Sequence, residues 1–136
     1  MSQDTIDRIL ERTKRIAVVG LSDQPGRTSN QVAKVLLDAG FEIVPVNPNV
    51  EEVFGITAVP SLDQVTGQVD LVNVFRRTEH LAEVAREAAA IAAPALWNQQ
   101  GLVSDEARRV AEEAGMDYVE DRCLKVEVAR RGVRAA

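Results

Sequence analysis

The segment from Gly20 to Ser29 contains the residue types best suited to bind a phosphate group. Gly20 carries no Cβ and lets a ligand approach the backbone closely. Arg27 supplies a guanidinium, which binds phosphate oxygens through charge-assisted hydrogen bonds. Three hydroxyl groups lie in the same segment, at Ser22, Thr28 and Ser29. The segment therefore predicts a phosphate site, and the alternative is an ordinary loop built from turn-forming residues.

The spacing in this segment differs from that of the common nucleotide-binding motifs. Leu21 and Ser22 follow Gly20, so the Gly-x-Gly-x-x-Gly motif does not occur, and no Gly-Lys-Ser/Thr marks a Walker loop. Proteins that bind NAD usually place Asp or Glu after the second strand to hold the ribose hydroxyls. Here Asn47 and Pro48 take that place. This disfavours an NAD(P)-binding oxidoreductase-like domain, which stays as an alternative.

A second cationic position follows the third long predicted strand, which runs from Val69 to Phe75. Arg76 and Arg77 are adjacent, and neighbouring side chains diverge, so we expect one of them to face a bound anion. Arg76 is the better candidate because it lies nearer to the end of the strand. A solvated loop pair without a ligand is the alternative.

Residues that could catalyse a reaction are scarce. His80 and Cys123 are the only histidine and cysteine, so they form neither a Ser-His-Asp arrangement nor a spaced set of metal ligands. We expect His80 on the surface, Cys123 partly buried and Trp97 at the edge of the core. The acidic residues Glu83 and Glu87 are assigned to a solvated helix face. The sequence thus predicts no catalytic residue and no metal site.

Apolar runs alternate with helical patterns along the chain. This alternation predicts an α/β fold, a Rossmann-like doubly wound parallel sheet of about five strands with helices on both faces. In such sheets ligands bind beyond the carboxyl ends of the strands. The predicted strands are Arg15–Gly20, Phe41–Val46, Val69–Phe75, Ala95–Trp97 and Met116–Val119, with a further short strand at Ile56–Val59.

Capping residues set the expected ends of the helices. Ser29, Thr78 and Ser104 are predicted N-caps, and Gly40 is expected to end the helix that Ser29 begins. The predicted helices are Thr5–Thr13, the one between Ser29 and Gly40, Thr78–Ala93, Ser104–Gly115 and Leu124–Arg131.

The composition fits one ordinary domain over residues 1–136, with 46% hydrophobic and 27% charged residues. The net charge of 16 − 21 = −5 lacks the basic field that nucleic-acid binding requires. A single cysteine forms no intrachain disulfide and favours a reducing, cytoplasmic setting. No stretch is long and apolar enough for a membrane span. We therefore expect neither a nucleic-acid nor a membrane partner.

Five short strings occur in a fixed order: Ile16–Ser22, Val44–Pro48, Val69–Arg76, Ala95–Trp97 and Asp121–Glu127. Together they resemble the stand-alone CoA-binding domain family, whose members are similar to the N-terminal domain of the succinyl-CoA synthetase α-subunit. The resemblance runs from Arg15 to Glu127. The phosphohistidine of the synthetase lies in a second domain that this chain does not match, so ligase activity is not expected.

The resemblance implies a module that binds coenzyme A or an acyl-CoA and catalyses no reaction. It implies that the loop after the first strand meets the nucleotide phosphates. Coenzyme A carries about four negative charges at neutral pH, so Arg27, Arg76 and Lys34 are the cations that would bind it. The expected cofactor-binding residues are Gly20, Leu21, Ser22, Arg27, Thr28, Ser29, Asn47, Pro48, Phe75 and Arg76.

Departures from the family pattern leave other functions open. Thr28 stands where proline is common, Asn98 follows Trp97 where leucine is common, and Val128 stands where histidine is common. One alternative is an interaction subunit without a small ligand, acting as a homo-oligomer or with a protein partner. The basic stretch Arg130–Arg134 would then be a docking tail, and a frayed terminus is the simpler interpretation. A mixed disulfide between Cys123 and the CoA thiol is a further possibility.

Overall fold

The computed structural model describes residues 3–135. The ends of the expected domain, 1–136, therefore lie outside the described residues. The strands are β1 Arg15–Val19, β2 Glu42–Val46, β3 Glu52–Val53, β4 Ile56–Thr57, β5 Leu71–Val74, β6 Ala95–Asn98 and β7 Asp117–Val119. Five of them form a parallel sheet in the order β2-β1-β5-β6-β7, and β3 pairs antiparallel with β4 in a short hairpin. The expected parallel sheet of five strands is confirmed.

Helices cover both faces of this sheet, with α1, α2 and α5 on one face and α3 and α4 on the other. They are α1 Gln3–Arg12, α2 Thr28–Asp38, α3 Leu81–Ala90, α4 Asp105–Glu113 and α5 Leu124–Arg131. Side chains of β1 alternate between the faces, because Ile16 and Val18 pack in one hydrophobic cluster and Ala17 and Val19 in the other. The doubly wound arrangement is therefore confirmed.

Two of the predicted N-caps are wrong. Helix α2 begins one residue before Ser29, with Arg27 as its N-cap residue, because the Ser29 hydroxyl accepts a hydrogen bond from the backbone of Ser22 instead. Thr78 begins a 3₁₀ turn, Thr78–His80, and α3 starts only after it. The third prediction is confirmed, since the Ser104 hydroxyl accepts a 3.0 Å hydrogen bond from the amide of Ala107.

The helices end where the backbone conformation changes, rather than where the pattern of apolar residues stops. Gly40 adopts a φ of +94° directly after α2 and its C-cap residue, as expected for a helix stop. The third helix ends at Ala90 rather than at the predicted Ala93. Ala92 adopts a left-handed φ of +57° and Pro94 follows, which does not permit the helix to continue.

The last predicted helix, α5, has the expected bounds, and the chain around it is anchored. Trp97 is fully buried in the core rather than at its expected position on the edge, and its Nε1 donates a 2.9 Å hydrogen bond to the carbonyl of Arg122. Arg131 forms an ion pair with Asp7 at 2.7 Å, and Arg134 donates to the carbonyl of Asp38 at 2.8 Å. The expectation of a frayed basic terminus is therefore wrong.

Within residues 3–135, no helix is both long and apolar enough to span a membrane.

The edge strand β7 is fixed to α1 by a carboxylate that accepts from two arginines. Asp117 lies 2.8 Å from both the Arg8 and the Arg12 guanidinium. The hydrogen bond from Arg8 lowers the pKa of Asp117 below its ordinary value, and the charges of both arginines act in the same direction. The folded state therefore favours the ionised form of this carboxyl.

We expect Asp117→Asn to lower the free energy of unfolding by about 1 kcal/mol at pH 7. Because the pKa is lower in the folded state, the contribution is present above the unfolded pKa of about 3.9 and is lost as pH falls further. Urea denaturation at pH 7, 5 and 3 measures this. The difference between wild type and variant should shrink at pH 3, whereas Glu113→Gln, at an exposed carboxylate, should show no such trend. A difference that is constant with pH would contradict the assignment.

Candidate ligand-binding crevice

The carboxyl ends of β1 and β5 flank the point where the strand order reverses. From β1 the chain proceeds to β2 on one side, and it later returns to β5 on the other side. The connections from β1 and β5 therefore lead to helices on opposite faces, α2 and α3. In open α/β sheets such a point leaves a crevice beyond the strand ends, where ligands bind.

Gly20 and Phe75 are in direct backbone contact at the bottom of this crevice. The amide of Phe75 donates to the carbonyl of Val19, and the amide of Gly20 donates to that of Val46, both at 2.8 Å. Gly20 has a φ of +86°, and a Cβ at this position would lie 2.1 Å from the carbonyl oxygen of Phe75. It would also lie 3.4 Å from Cδ of Arg76. The contact therefore requires glycine and places Arg76 beside the first loop.

The loop between β1 and α2 is held by its own polar side chains. The amide of Ser22 donates to Oγ of Ser29 at 3.0 Å, and Nδ2 of Asn30 donates to the carbonyl of Ser22 at 2.9 Å. Oγ of Ser22 accepts from the amide of Gln24 at 3.0 Å. Two of the expected binding hydroxyls, those of Ser22 and Ser29, are therefore engaged in fixing the loop.

The N-terminus of α2 presents unpaired amides. The first hydrogen bond within the helix runs from the amide of Gln31 to the carbonyl of Arg27. The amides of the three residues between them, Thr28, Ser29 and Asn30, have no acceptor inside the helix. Arg27 and Thr28 are exposed. Among residues 3–135, no carboxylate forms an ion pair with Arg27, which is available to an anion.

Asn47 joins the end of β2 to the first loop. Its Nδ2 donates to the carbonyl of Leu21 at 3.0 Å, and its Oδ1 accepts from the amide of Asn49 at 2.9 Å. Both polar atoms of the side chain are thus used to shape the crevice. Leu21 is fully buried, so it offers only its backbone there.

Lys34 forms an ion pair with Asp38 at 2.7 Å, one helical turn along α2.

A small cavity of about 90 Å³ lies beside the crevice, under the ends of β1 and β2. Its polar lining comes from Ser61, Arg76, His80, Glu83 and Glu87. Its apolar walls are formed by Val19, Val46, Pro48, Pro60, Leu62 and Val84. Burial and the charge of Glu83 raise the pKa of Glu87, and the charge of Arg76 opposes this. Arg76 thus lies both in the wall of this cavity and beside Gly20 at the bottom of the crevice.

Sequence reasoning missed part of this cavity. His80 is half-buried in its wall rather than on the open surface, and Glu83 and Glu87 face it rather than lying on a fully solvated face. Glu83 and Glu87 lie four residues apart, so they share one side of α3, next to the inward-facing Val84. This spacing was the one indication in the sequence that both carboxylates would face the cavity. The sequence did not show that Ser61, from a distant loop, would close the cavity.

Buried amides lie on the far side of the crevice. Nδ2 of Asn73 lies 3.3 Å from Oε1 of Gln99, which also accepts a 3.3 Å hydrogen bond from the amide of Leu124 at the start of α5. Asn98 donates to the Tyr118 hydroxyl, which donates in turn to Glu120. Burial raises the pKa of Tyr118. These bonds attach the ends of β6 and β7 to the neighbouring loops.

Metal binding finds no support in the described part of the chain, where no group of three or more potential ligands occurs. Cys123 is half-buried, acts as the N-cap residue of α5 and packs against the hydrophobic cluster on that face. The expected partial burial of this thiol is confirmed.

Residues 14–129 match the model of a family described as a CoA binding domain. The chain belongs to this CoA-binding domain family. The resemblance drawn from the five strings is thereby confirmed. The uncharacterized protein YneT of Bacillus subtilis is 52% identical over 125 residues, which cover 92% of this chain and 93% of that protein.

A solved structure and a longer enzyme are also similar to this chain. The structure of a hypothetical protein from Pyrococcus horikoshii has a TM-score of 0.91 and 35% identity, and the match covers 96% of this chain and 92% of that one. The ADP-forming acetate–CoA ligase I of Archaeoglobus fulgidus is 26% identical over 121 residues. That match covers 82% of this chain but only 18% of the ligase. The chain thus resembles a small part of a much longer enzyme.

We expect Gly20→Ala to lower the free energy of unfolding by about 3 kcal/mol, because its Cβ would collide with the Phe75 carbonyl in a backbone conformation unfavourable for alanine. Chemical denaturation measures this loss. Gly26→Ala is the matched control in the same loop, since no atom lies within 4 Å of its Cβ position. The control should change stability by less than about 1 kcal/mol. Equal effects of the two substitutions would contradict the close approach described above.

Proposed function

We propose that this protein binds coenzyme A or an acyl-CoA in the crevice beyond β1, β2 and β5, as a single domain that catalyses no reaction by itself. The observation that carries the proposal is the N-terminus of α2, with its unpaired amides and the free Arg27, in a chain that matches a CoA-binding family over residues 14–129. Helix N-termini bind phosphates through such amides and the helix dipole.

The phosphates of the ligand are assigned to this helix terminus. The pyrophosphate would accept hydrogen bonds from the amides of Thr28 to Asn30, and the Arg27 guanidinium would add a charge-assisted bond. Gly20 lets the backbone of the loop lie close to the ligand. Arg76, beside Gly20, would supply the second cation. This local charge matters because the protein carries a net charge of −5, which repels an anionic ligand at long range.

The remaining expected residues are given supporting roles. Asn47 and Leu21 hold the loop in position, Pro48 forms part of the cavity wall, and the half-buried Phe75 fixes the start of the Arg76 segment. The hydroxyls of Ser22 and Ser29 act on the loop itself. Lys34 would not bind the ligand, because its charge is neutralised by Asp38.

A role in holding or presenting the cofactor suits this chain better than a reaction of its own. The ligase of Archaeoglobus fulgidus contains a similar segment within a chain of which this one covers 18%. The single cysteine packs against the hydrophobic cluster at the start of α5 rather than in the crevice. A cytoplasmic location, where coenzyme A and reduced thiols are abundant, is part of the proposal.

We expect saturating coenzyme A to raise the melting temperature, because a ligand that binds only the folded state stabilises it. Arg27→Ala should weaken the affinity about tenfold or more, the equivalent of one charge-assisted hydrogen bond. Isothermal titration and thermal shift measure both effects. Arg109→Ala removes an exposed arginine on α4, on the opposite face of the sheet, and should leave the affinity unchanged.

NADH provides the comparison ligand. The sequence has neither the glycine spacing nor the acidic residue that NAD sites use, so NADH at the same concentration should give no comparable shift. A protein that coenzyme A and acetyl-CoA fail to stabilise would contradict the proposed function. A shift with NADH alone would favour the oxidoreductase-like alternative.

A further inference from the structure

The cavity beside the crevice differs in chemistry from the phosphate-binding loop. Two carboxylates, Glu83 and Glu87, face one guanidinium, Arg76, and the imidazole of His80. Asp63 lies close enough to raise the pKa of Glu87 further. The acidic groups thus outnumber the permanent cations at this position. A phosphate group would be repelled here, whereas a hydrogen-bond donor without negative charge would be attracted.

The lining of the cavity is suited to an apolar ring with a polar edge. Pro48 and Pro60 contribute apolar rings, and Val46, Leu62 and Val84 contribute branched apolar side chains. A volume of about 90 Å³ accommodates several water molecules. This is enough for one edge of a nucleobase and too little for a whole cofactor. Small pockets of this kind obtain specificity from a few well-placed polar groups.

The position of the cavity fits the nucleoside end of a ligand whose phosphates lie at α2. It opens at the ends of β1 and β2, and Arg76 lies both in its wall and beside Gly20. In dinucleotide-binding sheets the pyrophosphate lies at the helix after the first strand, and the ribose hydroxyls are held by a residue about 20 positions further along the chain. The base would thus enter the cavity while the phosphates stay at the loop.

We propose that the cavity takes the amine-bearing edge of an adenine base, and that Glu87 accepts a hydrogen bond from the exocyclic amine. This inference rests on the proposed function, since coenzyme A ends in adenosine. The amine is the only primary amine of that cofactor, and a carboxylate is an acceptor-only group when ionised. Glu87 is the chosen acceptor because it is half-buried, whereas Glu83 is exposed.

The assignment makes Glu87 a specificity-determining residue. Hypoxanthine carries a carbonyl oxygen where adenine carries the amine, so in the same pose its oxygen would face the Glu87 carboxylate with no proton between them. The N1–H that hypoxanthine gains would reach the carboxylate only after the base shifts along its edge. Sites built around a hydrogen bond reject an analogue that leaves their polar group unpaired. Glutamine has the same shape as glutamate and both donates and accepts, so Glu87→Gln would tolerate either base.

The experiment compares coenzyme A with its deaminated analogue, in which hypoxanthine replaces adenine and every phosphate and the pantetheine arm are kept. Isothermal titration at pH 7.5 gives both dissociation constants. Wild type should bind coenzyme A about tenfold more tightly than the analogue. In Glu87→Gln this ratio should fall below about threefold, mainly through tighter binding of the analogue. Glu113→Gln, an exposed carboxylate on α4, should keep the wild-type ratio.

The outcomes separate this inference from the proposal on which it rests. If wild type binds both ligands equally, or if Glu87→Gln keeps the full discrimination, the adenine assignment is overturned while CoA binding stands. If neither ligand binds the wild-type protein, the proposed function fails and the assignment fails with it. A gain in affinity for the analogue in Glu87→Gln, at unchanged melting temperature, supports the assignment because a merely destabilised variant would not produce it.

Discussion

The close contact between Gly20 and the Phe75 carbonyl determines the rest of the crevice. Two adjacent parallel strands end at this point, and the chain after each one proceeds to a different face of the sheet. With any side chain at position 20 the two connections would have to separate. Because they stay together, the N-terminus of α2 and the Arg76 segment lie at one opening. The absence of a Cβ at Gly20 thus allows the N-terminus of α2 and the Arg76 guanidinium, both positively charged, to lie at the same opening in an acidic protein.

Polar side chains in this crevice divide into those that shape it and those that remain available. Asn47, Ser22 and Ser29 use their hydrogen bonds on neighbouring backbone groups. Arg27 and the first amides of α2 stay unpaired within the described chain. A rigid loop with free donors needs little rearrangement to accept an anion, which lowers the entropic cost of binding. Preorganisation of this kind is also compatible with a protein that holds a cofactor without transforming it.

Much of this architecture could be predicted from local patterns. Apolar runs ended by Gly20 and Asn47 indicated strands, and the bounds of α5 followed from its composition and position. The N-cap of α2 was mispredicted because the Ser29 hydroxyl bonds across the loop, a contact between residues seven apart that no capping rule describes. The cavity at Glu87 was missed for a similar reason. Its walls come from β1, β2, α3 and the loop at Ser61, and only the folded sheet brings these segments together.

The burial of Trp97 has a practical meaning for studies in solution. As the only tryptophan, fully enclosed and bonded through its indole nitrogen to the Arg122 carbonyl, it gives the protein one fluorophore in one defined environment. Its emission therefore reports on whether the segment before α5 remains docked on the sheet. A water-soluble quencher would reach Trp97 only when that segment opens locally, whatever is bound at the opposite end of the crevice.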